Sequence, residues 1–134
     1  MTASIPASHR DIIEGKNLAH VATLGKDGLP QSTPVWIDIE GDTLVINTAE
    51  GRVKTRNLDR NPNVAISIHD SANLYRYIQV RGVVSERTTV GADANIDKLA
   101  KKYLGVDAYP GRAANPSEQR VIFRIKPTSV QVMG

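Results

Sequence analysis

The chain has 134 residues, with 17 Lys and Arg against 14 Asp and Glu, a formal net charge of +3 and no cysteine. That length suits a single domain with a sizeable core, and the missing cysteine excludes a disulfide framework, Cys-ligated zinc and a thiol nucleophile. No apolar run approaches the roughly 18 residues of a membrane span, and residues 1–16 contain no apolar stretch of the secretory kind, so a soluble, cytoplasmic protein is expected. The basic excess is only three charges, spread among acids, with six aromatic residues in all. This argues for an ordinary surface carrying one basic cluster rather than a nucleic-acid groove, and leaves small anionic ligands open.

Taken in chain order, Ile5-Pro6-Ala7-Ser8 followed by HRDIIEGK predicts a short helix with Ile12 and Ile13 on its apolar face. Leu18–Leu24 alternates as a half-buried strand, and Lys26-Asp27-Gly28 is a hairpin signal because Asp-Gly supplies the positive φ of a tight turn. A second strand is expected from about Pro30 to Ile39. Pro34 interrupts it and, lacking a donor, places it at a sheet edge or bulge. Thr43–Thr48 reads as the third strand and Arg52–Arg60 as a short helix ending before Asn61-Pro62. Val64–Ile68 is the fourth strand and Tyr75–Glu86 a long fifth, with Gly82 a bulge or close-approach point. Val90–Leu104 predicts a helix with Ile96, Leu99, Ala100 and Tyr103 on one face, and residues 105–118 a loop. Val121–Ile125 and Ser129–Met133 complete six or seven strands. The fold class is mainly β (α+β): one antiparallel, closed or partly closed barrel domain over residues 1–134 with short helices inserted between strands.

The chemistry-bearing patterns are few. His9, His20 and His69 are scattered without ligand spacing, so no metal site is expected. No GxSxG, GxGxxG or GxxxxGK[ST] motif occurs. One segment stands apart, from Asn47-Thr48 through Gly51 to Arg52-Val53-Lys54-Thr55-Arg56. Here a helix opens with two cations and a hydroxyl, where cations oppose the helix dipole but would face an anion bound at its free N–H groups. Solvated surface charge is the competing reading. Two further strands are candidates: Ser32-Thr33-Pro34-Val35-Trp36, whose free backbone groups beside Pro34 suit the polar edge of a flat heterocycle but which taken alone reads as an ordinary edge strand with Trp36 in a core or interface, and Tyr75–Gly82. In the latter, alternation puts Tyr77, Gln79 and Arg81 on one face, suited to a subunit interface, a ligand wall or plain solvent.

The order AHVATLGKDGLPQSTPVW, then LVINTAEGRVKTRNLDRNPNVAISI, then VRGVV resembles the flavin/deazaflavin oxidoreductases with the split β-barrel of pyridoxamine 5′-phosphate oxidase. It is most similar to the branch using the deazaflavin coenzyme F420. The resemblance covers about residues 8 to 133. It implies that Arg52, Lys54 and Thr55 bind the cofactor phosphate, that Asn47 and Thr48 line the cofactor, and that the backbone of Ser32, Thr33, Pro34, Val35 and Trp36 meets its ring system. It further implies a homodimer with cofactor sites at the interface, Tyr77, Gln79 and Arg81 coming from the partner, and Arg56 or Arg60 attracting an anionic tail. The long C-terminal extension of true pyridoxamine phosphate oxidases is missing, so that particular activity is not expected. A reduced deazaflavin is a hydride donor, which implies a reductase acting on an enone, a lactone or another conjugated small-molecule acceptor. Tyr77 or water is the candidate proton donor, and residues 70–74 and 105–118 the candidate substrate loops. FMN in place of F420, and a non-catalytic F420-binding protein, are the alternatives.

Overall fold

The computed structural model describes residues 2–134. Its elements are α1 (Arg10–Glu14), β1 (Ala19–Leu24), β2 (Pro30–Val35), β3 (Asp38–Glu40), β4 (Thr43–Ala49), α2 (Val53–Arg60), β5 (Asn63–Asp70), β6 (Asn73–Thr88), α3 (Ala92–Leu104), α4 (Gly111–Ala114) and β7 (Arg120–Met133). The seven strands form one antiparallel sheet in the order β2-β1-β5-β6-β7-β4-β3.

That order contains its own closure. β2 and β3 lie at opposite edges of the sheet, yet only Trp36 and Ile37 separate them in sequence. A link of this length reaches about 10 Å at most, whereas the outer strands of a flat seven-stranded sheet would stand about 29 Å apart. The sheet therefore curls until its two edges meet, which makes it a split barrel. Ile12, Ile13, Ile37, Ile46, Ile66, Ile68, Ile78, Phe123 and Ile125 fill the interior. β1 buries every second residue, as its alternation predicts.

Three elements differ from expectation. The strand expected from Pro30 to Ile39 is broken at Trp36–Ile37, because the chain changes sheet edge there. The two strands expected after residue 120 are one strand of 14 residues, β7. It runs on through Pro127 because a bulge absorbs it: Arg81 lies opposite Ser129 and Gly82 opposite Pro127, leaving Thr128 as the extra residue. Thirdly, residues 105–118 contain the single turn of α4. No helix among the described residues is long and apolar enough to cross a membrane.

Gly82 is the close-approach point that the long strand implied. A Cβ there would lie 2.6 Å from the Lys126 carbonyl oxygen and 2.9 Å from Ile125 Cγ2, both parts of the neighbouring strand. Gly82→Ala is expected to destabilise the fold by about 1–3 kcal/mol, read as a lowered urea midpoint. An unchanged midpoint would show that β6 and β7 separate there without cost.

Candidate functional site

The Trp36–Ile37 link is pinned by α3. Tyr103 Oη accepts a hydrogen bond from the buried Ile37 N–H at 3.2 Å and donates to the Asn17 carbonyl at 2.6 Å. Lys102 Nζ donates to the carbonyls of Ile37 (2.9 Å) and Ile13 (2.7 Å), tying the same link to α1. The Trp36 indole stacks on Tyr103, with ring centroids 5.3 Å apart and planes 5° apart, and meets Tyr109 edge-on at 6.1 Å. These contacts fix the aromatic wall of a cleft of about 280 Å³. It is lined by Leu18, Pro34, Val35 and Trp36 on one side, by Asn47, Thr48, Arg52 and Lys54 on the other, and by Ile96, Tyr109 and Arg120.

The polar side of the cleft is cationic. Arg52 is the N-cap of α2 and no side chain caps that helix. Lys54 is half-buried, and among the described residues it pairs with no carboxylate. Burial, then the neighbouring charges of Arg52 and Arg120, push its pKa below the ordinary lysine range. Arg120 is buried beneath them. Its Nε donates to Asn47 Oδ1 at 2.9 Å, its Nη1 to Glu118 Oε1 at 2.7 Å, and its guanidinium lies 5.2 Å from the Tyr109 ring centroid. Glu118 pairs with both arginines, Arg120 and Arg52, and leaves Lys54 without a counter-ion among the described residues. Behind them a hydrogen-bonded chain continues from Asn47 Nδ2 to Asn95 Oδ1, from Asn95 Nδ2 to Asp38 Oδ2, and from Lys98 Nζ to the same carboxylate. The cleft thus presents an excess of cationic donors, with Arg120 oriented from below, an arrangement whose chemistry suits an anion.

Of the sequence candidates, Asn47, Thr48, Arg52, Lys54, Pro34, Val35 and Trp36 come together here, and β2 is an edge strand, as Pro34 implied. Thr55 lies beneath the cleft: it is buried, and its hydroxyl donates to the Ala49 carbonyl at 2.6 Å and contacts Thr48 Oγ1 at 3.1 Å. That proton is committed to joining α2 to β4 rather than offered to a ligand. Thr33 lies opposite Val21, on the interior side, and its buried Oγ1 has no hydrogen-bond partner among the described residues.

Ser32, Gln79 and Arg81 stand on the opposite, outward side of the sheet. The ladder there runs Pro34–His20–Ser67–Gln79–Gln131, with Ser32–Ala22–Ala65–Arg81–Ser129 beside it and His69–Tyr77–Met133 beyond. Tyr77 shares this side, away from the cleft of its own chain, and the rings of His20 and His69 stack there 6.2 Å apart. Arg56 and Arg60 are exposed outside the cleft. The 70–74 segment is the tip of the β5–β6 hairpin, also outside it, whereas 105–118 supplies Tyr109 to the cleft and Glu118 to the hollow behind it. Arg120, Tyr109, Leu18 and Ile96 line the cleft without having been singled out from the sequence. For Arg120 no local signal exists, because it is the β4–β7 register, with Arg120 opposite Ala49, that brings it to Asn47.

Residues 5–134 match the pyridoxamine 5′-phosphate oxidase family, and the chain belongs to it. The family implies a flavin or deazaflavin cofactor. Among solved structures the chain is similar to an F420 reductase, with 32% identity, a TM-score of 0.82, and coverage of 95% of this chain and 98% of that one. It also shares its fold with a conserved hypothetical protein of Mycobacterium tuberculosis (20% identity, TM-score 0.70, covering 98% and 86%) and with HupZ of Group A Streptococcus (22%, 0.69, covering 96% and 99%). No curated protein matches the sequence.

Lys102 gives the site a pH signature. Burial pushes its pKa down to about 8, against about 10.5 in an unfolded chain. The folded state therefore sheds this proton first, and the stability lost by burying the charge is regained as pH rises from about 8 towards 10. The neutral amine keeps donors enough for both carbonyls. Compared with Lys102→Met, the wild type should gain stability over that interval in urea titrations. Parallel pH dependences would contradict the buried-charge account.

Proposed function

We propose that the protein is an oxidoreductase that binds the deazaflavin coenzyme F420 through its phosphate in the Arg52–Lys54–Arg120 cleft and transfers a hydride to a conjugated small-molecule acceptor of the enone or lactone type. The observation that carries this reading is the half-buried Lys54, left without a carboxylate among two arginines, in a chain 32% identical to an F420 reductase. Such a cluster is electrostatically costly when empty and favourable around a phosphate.

When bound, the reduced deazaflavin supplies the hydride. The chain's own groups bind and orient. Lys54 and the two guanidiniums would hold the phosphate, Asn47 fixes Arg120, the Trp36–Tyr103 stack walls the cleft, and the backbone at Pro34 would give the ring system an edge. At about 280 Å³ the cleft falls just below the usual size of cofactor pockets. That is room for a phosphate and its linker, so the ring system would need surface beyond the cleft, and Pro34, which borders the cleft, also stands on the outward side of the sheet. That need for further surface supports a homodimer in which the partner's corresponding surface, through Tyr77, Gln79 and Arg81, would cover the ring. Tyr77 is then the side-chain candidate for delivering the proton that accompanies the hydride. Arg56 and Arg60 lie outside the cleft, on a path for an anionic tail. The whole chain acts as one cofactor-binding unit, working in the cytoplasm.

The test is a fluorescence titration of Trp36 with oxidised F420 and, in parallel, FMN, followed by turnover of an enone panel by the reduced deazaflavin. We expect micromolar or tighter F420 binding, weakened about tenfold or more by Lys54→Ala, and acceptor-dependent oxidation of the reduced cofactor. Tighter FMN binding would move the assignment to the flavin side of the family. Binding without turnover of any acceptor would make the protein a carrier.

A further inference from the structure

The two arginines of the cleft are joined from behind by one carboxylate. Each oxygen of Glu118 takes a different guanidinium, Oε1 that of Arg120 at 2.7 Å and Oε2 that of Arg52 at 3.1 Å. Its side chain is 15% exposed and that of Arg120 only 7%. Glu118 itself is not among the residues facing the cleft; it borders the small hollow behind it, together with Tyr109 and Arg112. We propose that Glu118 is a positioning residue for anion binding, a clamp that holds Arg52 and Arg120 together so that their remaining N–H groups face the cleft.

The reasoning is electrostatic and geometric. Arg52, Lys54 and Arg120 repel one another: after burial, the charges of Arg52 and Arg120 are what depress the Lys54 pKa. Without a shared counter-ion the exposed arm of Arg52, whose side chain is 49% exposed, would swing into solvent, where a guanidinium is better hydrated. Arg120 cannot follow, because Asn47 holds its Nε and the Tyr109 ring flanks it. The clamp therefore converts one mobile and one fixed cation into a preorganised pair, and leaves Nη2 of Arg120 and both Nε and Nη1 of Arg52 uncommitted. Arg120, beside it, and then Arg52 hold the Glu118 carboxyl below the ordinary range against its burial, so it stays ionised at neutral pH. The segment carrying it is braced by a turn from Asn115, with the Glu118 N–H donating to the Asn115 carbonyl at 3.2 Å. Preorganising donors in this way removes side-chain ordering from the cost of binding.

The inference rests on the cleft being the phosphate site, and inorganic phosphate separates the two claims. Phosphate affinity is measured by calorimetry for the wild type, Glu118→Gln, Glu118→Asp, Arg52→Ala and the Glu118→Gln/Arg52→Ala pair, with thermal unfolding of each as the control for folding. A glutamine keeps the size but accepts from only one guanidinium, without charge. The expected result is a loss of about tenfold in Glu118→Gln, a smaller loss in Glu118→Asp, and little further loss when Glu118→Gln is added to Arg52→Ala. That non-additivity is what action through the arginine produces, and a merely structural contribution would add instead. Unchanged or tighter phosphate binding in Glu118→Gln, or additive losses in the pair, would overturn the clamp. If Glu118→Gln does not fold, Glu118→Asp alone decides by the same criterion. Phosphate binding that depends on Glu118 while F420 and FMN both fail to bind would retain the clamp and reject the cofactor reading.

Discussion

Two residues carry the chain from one edge of the sheet to the other, and the position of the cleft follows from how short that link is. Trp36 and Ile37 must bridge strands that a flat sheet would hold far apart, so the sheet closes where they lie. Closure leaves the Ile37 N–H and carbonyl with no strand partner on either side. Tyr103 and Lys102 satisfy them from α3, and the same helix stacks its tyrosine on the indole of Trp36. The seam is thus both the mechanical joint of the barrel and the rigid wall of its binding cleft. A ligand settled there contacts backbone that closure has already fixed, so the ordering cost is met in folding rather than in binding.

The cationic side of the cleft is assembled from parts of the chain far apart in sequence. β4 brings Asn47 and Thr48, the start of α2 brings Arg52 and Lys54, and the first residue of β7 brings Arg120. Thr55, buried at the junction, joins α2 to β4 and so sets the height of Lys54 above the sheet. Underneath, the chain of side chains from Arg120 through Asn47 and Asn95 to Asp38 runs between β4, β7 and α3, with each amide both donating and accepting. A buried polar network satisfied along its length in this way favours one arrangement over its alternatives. Its consequence for the cleft is that Arg120 is held in place by the protein itself.

Much of this was legible in the sequence because it is written locally. Alternation located β1, the Asp-Gly pair located the β1–β2 hairpin, where Gly28 has φ of 82°, and Gly82 announced its close approach. The Asn47–Lys54 segment was recognisable because cations at the opening of a helix need a reason. What escaped notice depends on register and closure. Nothing near Trp36 says that the strand ends there, since the break is imposed by the far edge of the sheet. Pro127 looks like the end of a strand until the bulge at Thr128 is seen to absorb it. Arg120 and Tyr109 become cleft residues only when β7 pairs with β4 and α3 packs across the seam. Thr55 belongs to the same segment, but its hydroxyl serves the junction with β4, a distinction that its burial and its bond to the Ala49 carbonyl draw.

The central claim is that the seam-side cleft receives the phosphate of a flavin-like cofactor while the outward side of the sheet receives its rings against a second copy of the chain. A crystal structure of the protein with oxidised F420 bound tests this most directly. The account predicts the phosphate within hydrogen-bonding distance of Lys54 and Arg120, the ring system leaving the cleft past Pro34, and a partner chain covering it with Tyr77, Gln79 and Arg81. A cofactor seated instead in the groove between Leu24 and Ser129, away from Lys54, would contradict it.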